Sequence, residues 1–154
     1  MRLVVAVVGK PRNAEVKQAI TDYQTRAARY WPLEVYEVKE EGASSLTAAE
    51  VKAREGKRLA EKLPSGARVI ACDVRGDALD SEKFAALIQA ARESARDLAF
   101  LVGGAFGLSD DILGAAHSRL SLSPFTMPHE LARLVLTEQI YRAGTIVRGE
   151  PYHK

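Results

Sequence analysis

Three stretches of this chain concentrate residues able to bind or react. The first is Gly103-Gly104-Ala105-Phe106-Gly107. Three glycines in five residues let a backbone approach a ligand closely. Their spacing is not the G-x-G-x-x-G of dinucleotide sites, and the Gly-Lys-Ser/Thr of a phosphate loop is missing. The next helix opens with Asp110 and Asp111, which suit the helix dipole but repel a phosphate seeking the same N–H groups. The loop therefore tolerates a ligand that lacks phosphate or carries positive charge. The alternative is a glycine turn needed only for tight packing. The second stretch is Ser123-Pro124-Phe125-Thr126-Met127-Pro128. Two prolines stiffen it, so its backbone groups stand in fixed positions, as an adenine edge or a small amphipathic ligand requires. Taken alone it also reads as a rigid connector. His129 comes next, at a helix start, where the dipole disfavours the imidazolium and leaves a neutral side chain able to act as a base. A surface or capping histidine is the plainer reading. The third stretch is the tail Arg148-Gly149-Glu150-Pro151-Tyr152-His153-Lys154. An aromatic beside a histidine and a lysine suits a nucleic-acid base and phosphate, and a tail docked on its own domain is the alternative. Glu138 and Arg142 are spaced as a helix ion pair. Arg133 and Arg142 could instead face a nucleic-acid backbone. Cys72 reads as a small buried hydrophobe at a strand end.

The elements that must position these residues follow from periodicity. Arg2–Val8, Leu33–Val38, Ala67–Asp73, Leu98–Val102 and Arg119–Leu122 are short apolar runs without alternation, as expected of strands buried on both faces. Helices are expected from Val16 to Tyr30, ended by Pro32, and from Thr47 to about Lys62, opened by the capping box Thr47-Ala-Ala-Glu50. Further helices follow a cap at Asp80 or Ser81, run from Ser109 to about Ala116, and run from His129 to about Ala143. The Thr47 helix has a thin apolar stripe (Ala48, Val51, Leu59, Leu63) and is placed on the outside. Glu40–Ser45 is expected to be a loop, Arg75-Gly76-Asp77 a turn, and Gly144–Lys154 a tail. Alternating strands and helices predict an α/β fold, a parallel sheet with helices on both faces. Ligands in such sheets sit beyond the carboxyl ends of the strands, which is where Cys72, the glycine loop and the proline loop fall.

Composition narrows the function classes. A chain of 154 residues fits one domain. Its 47% hydrophobic and 27% charged residues argue against disorder. The single cysteine excludes an internal disulfide, and no Cys/His cluster suggests zinc. A reducing cytoplasm fits. No stretch approaches the roughly 20 apolar residues of a membrane span. The net charge is only +2, so an anionic partner must meet a local patch.

The same residues carry a family resemblance. Leu101-Val102-Gly103-Gly104-Ala105-Phe106-Gly107-Leu108-Ser109 resembles the "L-I/V-G-G-x-x-G-L-S" segment of small SPOUT-class methyltransferases. Ser121-Leu122-Ser123-Pro124-Phe125-Thr126-Met127-Pro128-His129 resembles their "S-L-S-x-x-T-x-P-H" loop. Glu138-Gln139-Ile140-Tyr141-Arg142-Ala143 and Pro151-Tyr152-His153 match as well. The whole chain, read as a single domain over 1–154, resembles the ribosomal RNA large-subunit methyltransferase H family.

That resemblance implies methyl transfer from S-adenosylmethionine to N3 of a pseudouridine in 23S rRNA, on the ribosome or its large subunit. It implies a C-terminal trefoil knot, which no packing rule predicts, and a homodimer with the knot at its interface. The cofactor would be held by backbone at Cys72, Gly103, Gly104 and Ser123, Pro124, Phe125, Thr126, Met127 and Pro128. Cysteine stands where relatives often carry a larger aliphatic, a small change for a main-chain contact. The catalytic candidates are His129, Arg142, Tyr152 and His153. Arg142 would stabilise charge on the imide oxygen, and His129 or His153 would take the proton. Two other readings compete. A non-catalytic ribosome-associated or assembly protein of the same fold needs no cofactor pocket. A nucleotide-binding α/β domain wants the missing phosphate loop.

Overall fold

The computed structural model describes residues 1–42 and 45–154; of the expected Glu40–Ser45 loop, Ala43 and Ser44 lie outside the described residues. Five strands, β1 (Leu3–Val8), β2 (Leu33–Val38), β3 (Arg68–Ala78), β4 (Leu98–Val102) and β5 (Ser118–Ser121), alternate with α1 (Ala14–Ala27), α2 (Ala48–Ala60), α3 (Ser81–Glu93), α4 (Asp110–Ala115) and α5 (His129–Val147). The sheet has the order β2-β1-β4-β3-β5 and every pairing is parallel. Leu3 lies beside Leu33 on one flank and Leu98 on the other.

Alternate β1 residues divide between two cores. Leu3, Val5 and Val7 pack with Trp31, Phe84, Ile88, Leu136 and Ile140, under α1, α3 and α5. Ala6 and Val8 pack with Leu59, Leu108 and Ile112, under α2 and α4. Burial on both faces is why β1 and β4 lack alternation, whereas the edge strands β2 and β5 are only partly buried. Trp31 is fully buried, and its indole Nε1 donates to the Ile140 carbonyl at 2.9 Å, tying the end of α1 to α5. The expected caps are present at Thr47, with its capping box, and at Asp80 and Ser109. No helix among the described residues is long and apolar enough to cross a membrane.

Two expectations are corrected. Arg75-Gly76-Asp77 is not a turn but the continuation of β3, which runs to Ala78. Its pairing with β5 slips, so that Cys72 and Asp77 both face Leu120. Gly76 permits this bulge: a Cβ there would stand 2.6 Å from the Arg119 carbonyl carbon. The second correction is to the tail. Helix α5 continues through Gly144 to Val147, because Gly144 is a packing residue with the Tyr30 ring seated where its Cβ would be. The helix stops instead at Gly149, whose φ of +67° is the left-handed position that favours glycine.

Candidate active site

The carboxyl ends of β3, β4 and β5 open onto one cavity of about 540 Å³. β3 contributes Cys72, Asp73 and Val74, β4 leads into Gly103, Gly104 and Ala105, and β5 leads into Ser123 and Phe125–Pro128; His129 and Ala132 of α5 complete the wall. Pro124 is the one proposed cofactor contact that does not face it. The glycine turn is folded tightly on itself. The Gly107 N–H donates to the Gly104 carbonyl at 3.0 Å, and a Cβ on Gly103 would stand 2.5 Å from the Gly107 carbonyl carbon. Gly107 has φ +80°. The proline loop is braced by Ser123, whose Oγ accepts from the Phe125 N–H at 2.9 Å while its carbonyl accepts from Ser121 Oγ at 3.1 Å. Both turns thus present main chain rather than long side chains.

No lysine or arginine lines the cavity; its ionisable groups are Cys72, Asp73 and His129. Asp73 is held below the usual carboxylate range by the Arg75 guanidinium, which donates to it from Nε at 3.0 Å and Nη2 at 3.2 Å. Desolvation pushes the Cys72 thiol up to about 12, so it stays a neutral thiol. His129 also borders Gly9: its Nε2 lies 3.6 Å from where a Gly9 Cβ would be, with Glu40 Oε2 3.4 Å from the same point. No group of three or more His, Cys, Asp or Glu stands ready to hold a metal ion among the described residues. Such a chamber suits an uncharged or cationic organic ligand and offers nothing to a phosphate.

Arg142, Tyr152 and His153 gather elsewhere, around Glu138. Glu138 Oε1 accepts from Arg142 Nε at 3.0 Å, Arg142 Nη2 at 2.5 Å and the Tyr152 hydroxyl at 2.9 Å. Arg142 Nη1 donates to His153 Nδ1 at 3.3 Å, and the guanidinium lies 4.7 Å from the Tyr152 ring centroid. Burial raises the Tyr152 pKa, so its phenol keeps its proton. The tail therefore docks on its own domain. His153 reaches the wall of a second cavity of about 550 Å³, which shares Leu120 and Leu122 with the first. Thirteen residues of helix separate Arg142 from His129, about 20 Å at 1.5 Å per residue, so one chain does not bring them together. Arg133 is not available to a nucleic-acid backbone: it is buried and its Nη1 donates to Glu37 at 2.7 Å.

Sequence reasoning missed Asp73 and Ala132. Asp73 follows Cys72 at the strand end, two residues before a partner arginine, and Ala132 is one turn beyond His129 on the same helix face.

The family described as "Predicted SPOUT methyltransferase" matches residues 1–153. A protein of Gemmatimonas aurantiaca named ribosomal RNA large subunit methyltransferase H is 54% identical over the full length of both chains. One of that name from Syntrophotalea carbinolica is 42% identical over 99% of each. Among solved structures, TrmJ of Z. mobilis ZM4 superposes with a TM-score of 0.54 at 16% identity, over all of this chain and 73% of that one. The likeness in fold, the wall of main-chain turns and the full-length match agree: this chain belongs to the SPOUT methyltransferase family.

Proposed function

We propose that the protein transfers a methyl group from S-adenosylmethionine to N3 of a pseudouridine in 23S rRNA, in the cytoplasm, acting on the ribosome or large subunit as a homodimer. The observation that carries this reading is the cavity at the ends of β3, β4 and β5, built of main-chain turns and free of lysine and arginine. Its fit to the cofactor rests on that chemistry. Backbone at Cys72, Gly103, Gly104 and the Ser123–Pro128 loop would hold the nucleoside end, and the absence of cationic side chains leaves room for a positively charged sulfur. When bound, the cofactor supplies an electrophilic methyl group on a sulfur that leaves as a neutral thioether. The relatives' shared name supplies the RNA substrate.

The residues of the chain divide the remaining work. His129 lines the cavity wall, and in this reading it receives the N3 proton. Arg142 keeps an Nη1 directed at His153 while its other donors are engaged by Glu138, and it opposes charge on the imide oxygen. The roughly 20 Å between these groups is why the reading requires a second copy: the Tyr152–His153 tail of one chain meets the cavity of the other. Apolar side chains exposed at and near the mouth, Phe125, Val74 and Phe106, give that contact its surface. The trefoil knot is part of the same proposal, since it folds the proline loop and α5 back against the glycine turn.

The test is to incubate the protein with labelled S-adenosylmethionine and ribosomes lacking the modification, then map the methylated base. Label at N3 of one pseudouridine is expected, with weak turnover on protein-free RNA fragments given a net charge of +2. Absence of transfer together with absence of cofactor binding in calorimetry favours the non-catalytic ribosome-associated reading. Strong turnover on an isolated stem-loop refutes the requirement for the assembled particle.

A further inference from the structure

Glu55 of α2 is the one buried carboxylate among the described residues, 4% exposed. A buried charge is stable only when paired or fully hydrogen-bonded. Glu55 is neither. Its Oε1 accepts a single long bond, from the Glu41 N–H at 3.5 Å, and its Oε2 has no hydrogen-bond partner among the described residues. Oε2 lies 2.7 Å from the point a Gly104 Cβ would occupy, with Val8 Cγ1 3.0 Å from the same point. The carboxylate therefore fills the space that the missing side chain of Gly104 leaves, directly behind the wall of the cavity.

We infer that Glu55 is the specificity residue by which the cavity prefers a positively charged sulfonium donor to the neutral thioether left after transfer. The inference rests on the function proposed above and concerns the discrimination between its two cofactor forms. A sulfonium has no N–H or O–H to donate, so the local electric field carries much of the recognition of its charge. Asp73, the acid on the wall itself, has its charge matched by Arg75; Glu55 has no such match. The Gly104 backbone matters chemically too. A carboxylate in direct contact with the methyl would compete for it and form an ester, whereas one behind a glycine attracts the cation without reaching the carbon. Once the methyl has left, the sulfur is neutral, the attraction ends and the product is free to exchange.

Linkage gives the inference a second readout. Desolvation pushes the Glu55 carboxyl above the ordinary 4.5, the charges of Glu40 and Glu41 add to it, and the Glu41 N–H and Arg58 oppose them. The remaining ionisable groups nearby are His129 and Asp73 on the cavity side; Val8 and Gly104 bring none. A cation binds the ionised carboxylate better, so donor affinity falls as pH drops through the Glu55 titration. Product affinity does not.

The experiment is calorimetry with S-adenosylmethionine and with its demethylated product, on the wild-type chain, Glu55→Gln and Glu55→Asp, alongside thermal melts. Glu55→Gln is expected to weaken the donor on the order of tenfold, the size of effect a unit charge behind the wall has at an effective dielectric near 20. Product affinity stays within about twofold, and Glu55→Asp largely restores the donor-to-product ratio. In the wild type that ratio falls on acidification; in Glu55→Gln it is flat. An equal loss for both ligands, or an unchanged ratio, overturns the inference, because Glu55 then only packs. A pH-dependent fall that persists in Glu55→Gln assigns the effect to His129 and overturns it as well. Should Glu55→Gln fail to fold, the pH series is run on His129→Gln, where a donor-to-product ratio that still falls on acidification supports Glu55 and a flat ratio refutes it. If neither ligand binds the folded wild-type chain, the cofactor reading itself fails and takes this one with it; if both bind with equal sensitivity to Glu55, only this one fails.

Discussion

Replacing Gly103 by alanine tests how tightly the glycine turn is built. The added Cβ would stand 2.5 Å from the Gly107 carbonyl carbon, 2.8 Å from its oxygen and 2.9 Å from the Leu108 nitrogen. All three are backbone atoms, so no flexible side chain can yield. Relief requires moving the 104–108 turn by several tenths of an ångström. That strains the 3.0 Å bond from Gly107 N to Gly104 O and drags the buried Leu108 off the α2–α4 core. Overpacking costs about 1–3 kcal/mol, and a weakened hydrogen bond adds roughly 1 kcal/mol. At about 2–4 °C per kcal/mol for a domain of this size, the melting temperature should drop by roughly 5–15 °C. Affinity for S-adenosylmethionine should fall at least about tenfold, since the same turn walls the cavity. Gly114→Ala is the control. Its Cβ meets nothing within 4 Å, and exchanging a helical glycine for alanine gains up to about 1 kcal/mol. Differential scanning fluorimetry and calorimetry read both variants. A Gly103→Ala chain that melts within a degree or two of the wild type and binds donor normally would refute the claim that this turn is close-packed and forms the pocket.

Other perturbations follow from named contacts. With its pKa at about 12 against an ordinary 9.0, Cys72 should react with iodoacetamide at pH 8 about a thousandfold more slowly in the native chain than in the unfolded one; equal rates would show an open thiol. Asp97 is held below 3.8, chiefly by the Arg2 N–H it accepts. Its stabilising effect is present above the unfolded value and lost as pH falls through the lower folded one, so Asp97→Asn should flatten the acid limb of the melting curve below about pH 4. Glu37→Ala leaves the buried Arg133 guanidinium unpaired and should cost about 3 kcal/mol in urea unfolding; a loss under 1 kcal/mol would mean that water already reaches Arg133. Glu55 has the opposite sign to Asp97: its folded pKa lies above 4.5, so its ionisation destabilises the fold as pH rises through that interval. Glu55→Gln should therefore melt higher than the wild type at pH 7 and not below pH 4.

Most of the fold was legible because the determinants are local. Strands buried on both faces write continuous apolar runs, and Thr47, Asp80 and Ser109 write their caps in side-chain type. The departures share a cause in glycine. Gly76 reads as a turn and Gly144 as a terminator, yet each is required by a neighbour distant in sequence, the Arg119 backbone and the Tyr30 ring respectively. A sequence states that a side chain is missing, not what fills its place. The same rule governs Gly104, whose vacancy is taken by Glu55 from α2.

The site was legible as loops and illegible as electrostatics. Topology places the ends of β3, β4 and β5 together, so naming the loops was enough to name the cavity. Charge pairing across the sheet has no such shortcut. Arg133 looked available in the sequence, but β2, distant along the chain, brings Glu37 to it. Glu55 looked like one more solvated acid on a highly charged helix, yet it stands four residues from both Val51 and Leu59 and so shares their buried face. Gly56 beside it lets α2 approach α4 until Ser109 Oγ lies 2.9 Å from where a Cβ would sit. The close approach of two helices thus sets the position of an unpaired carboxylate behind the cavity wall. A cavity with no lysine or arginine and one uncompensated acid behind it is biased toward cations before any ligand arrives. The chemistry proposed for this chain begins with a cationic sulfur and ends with a neutral one.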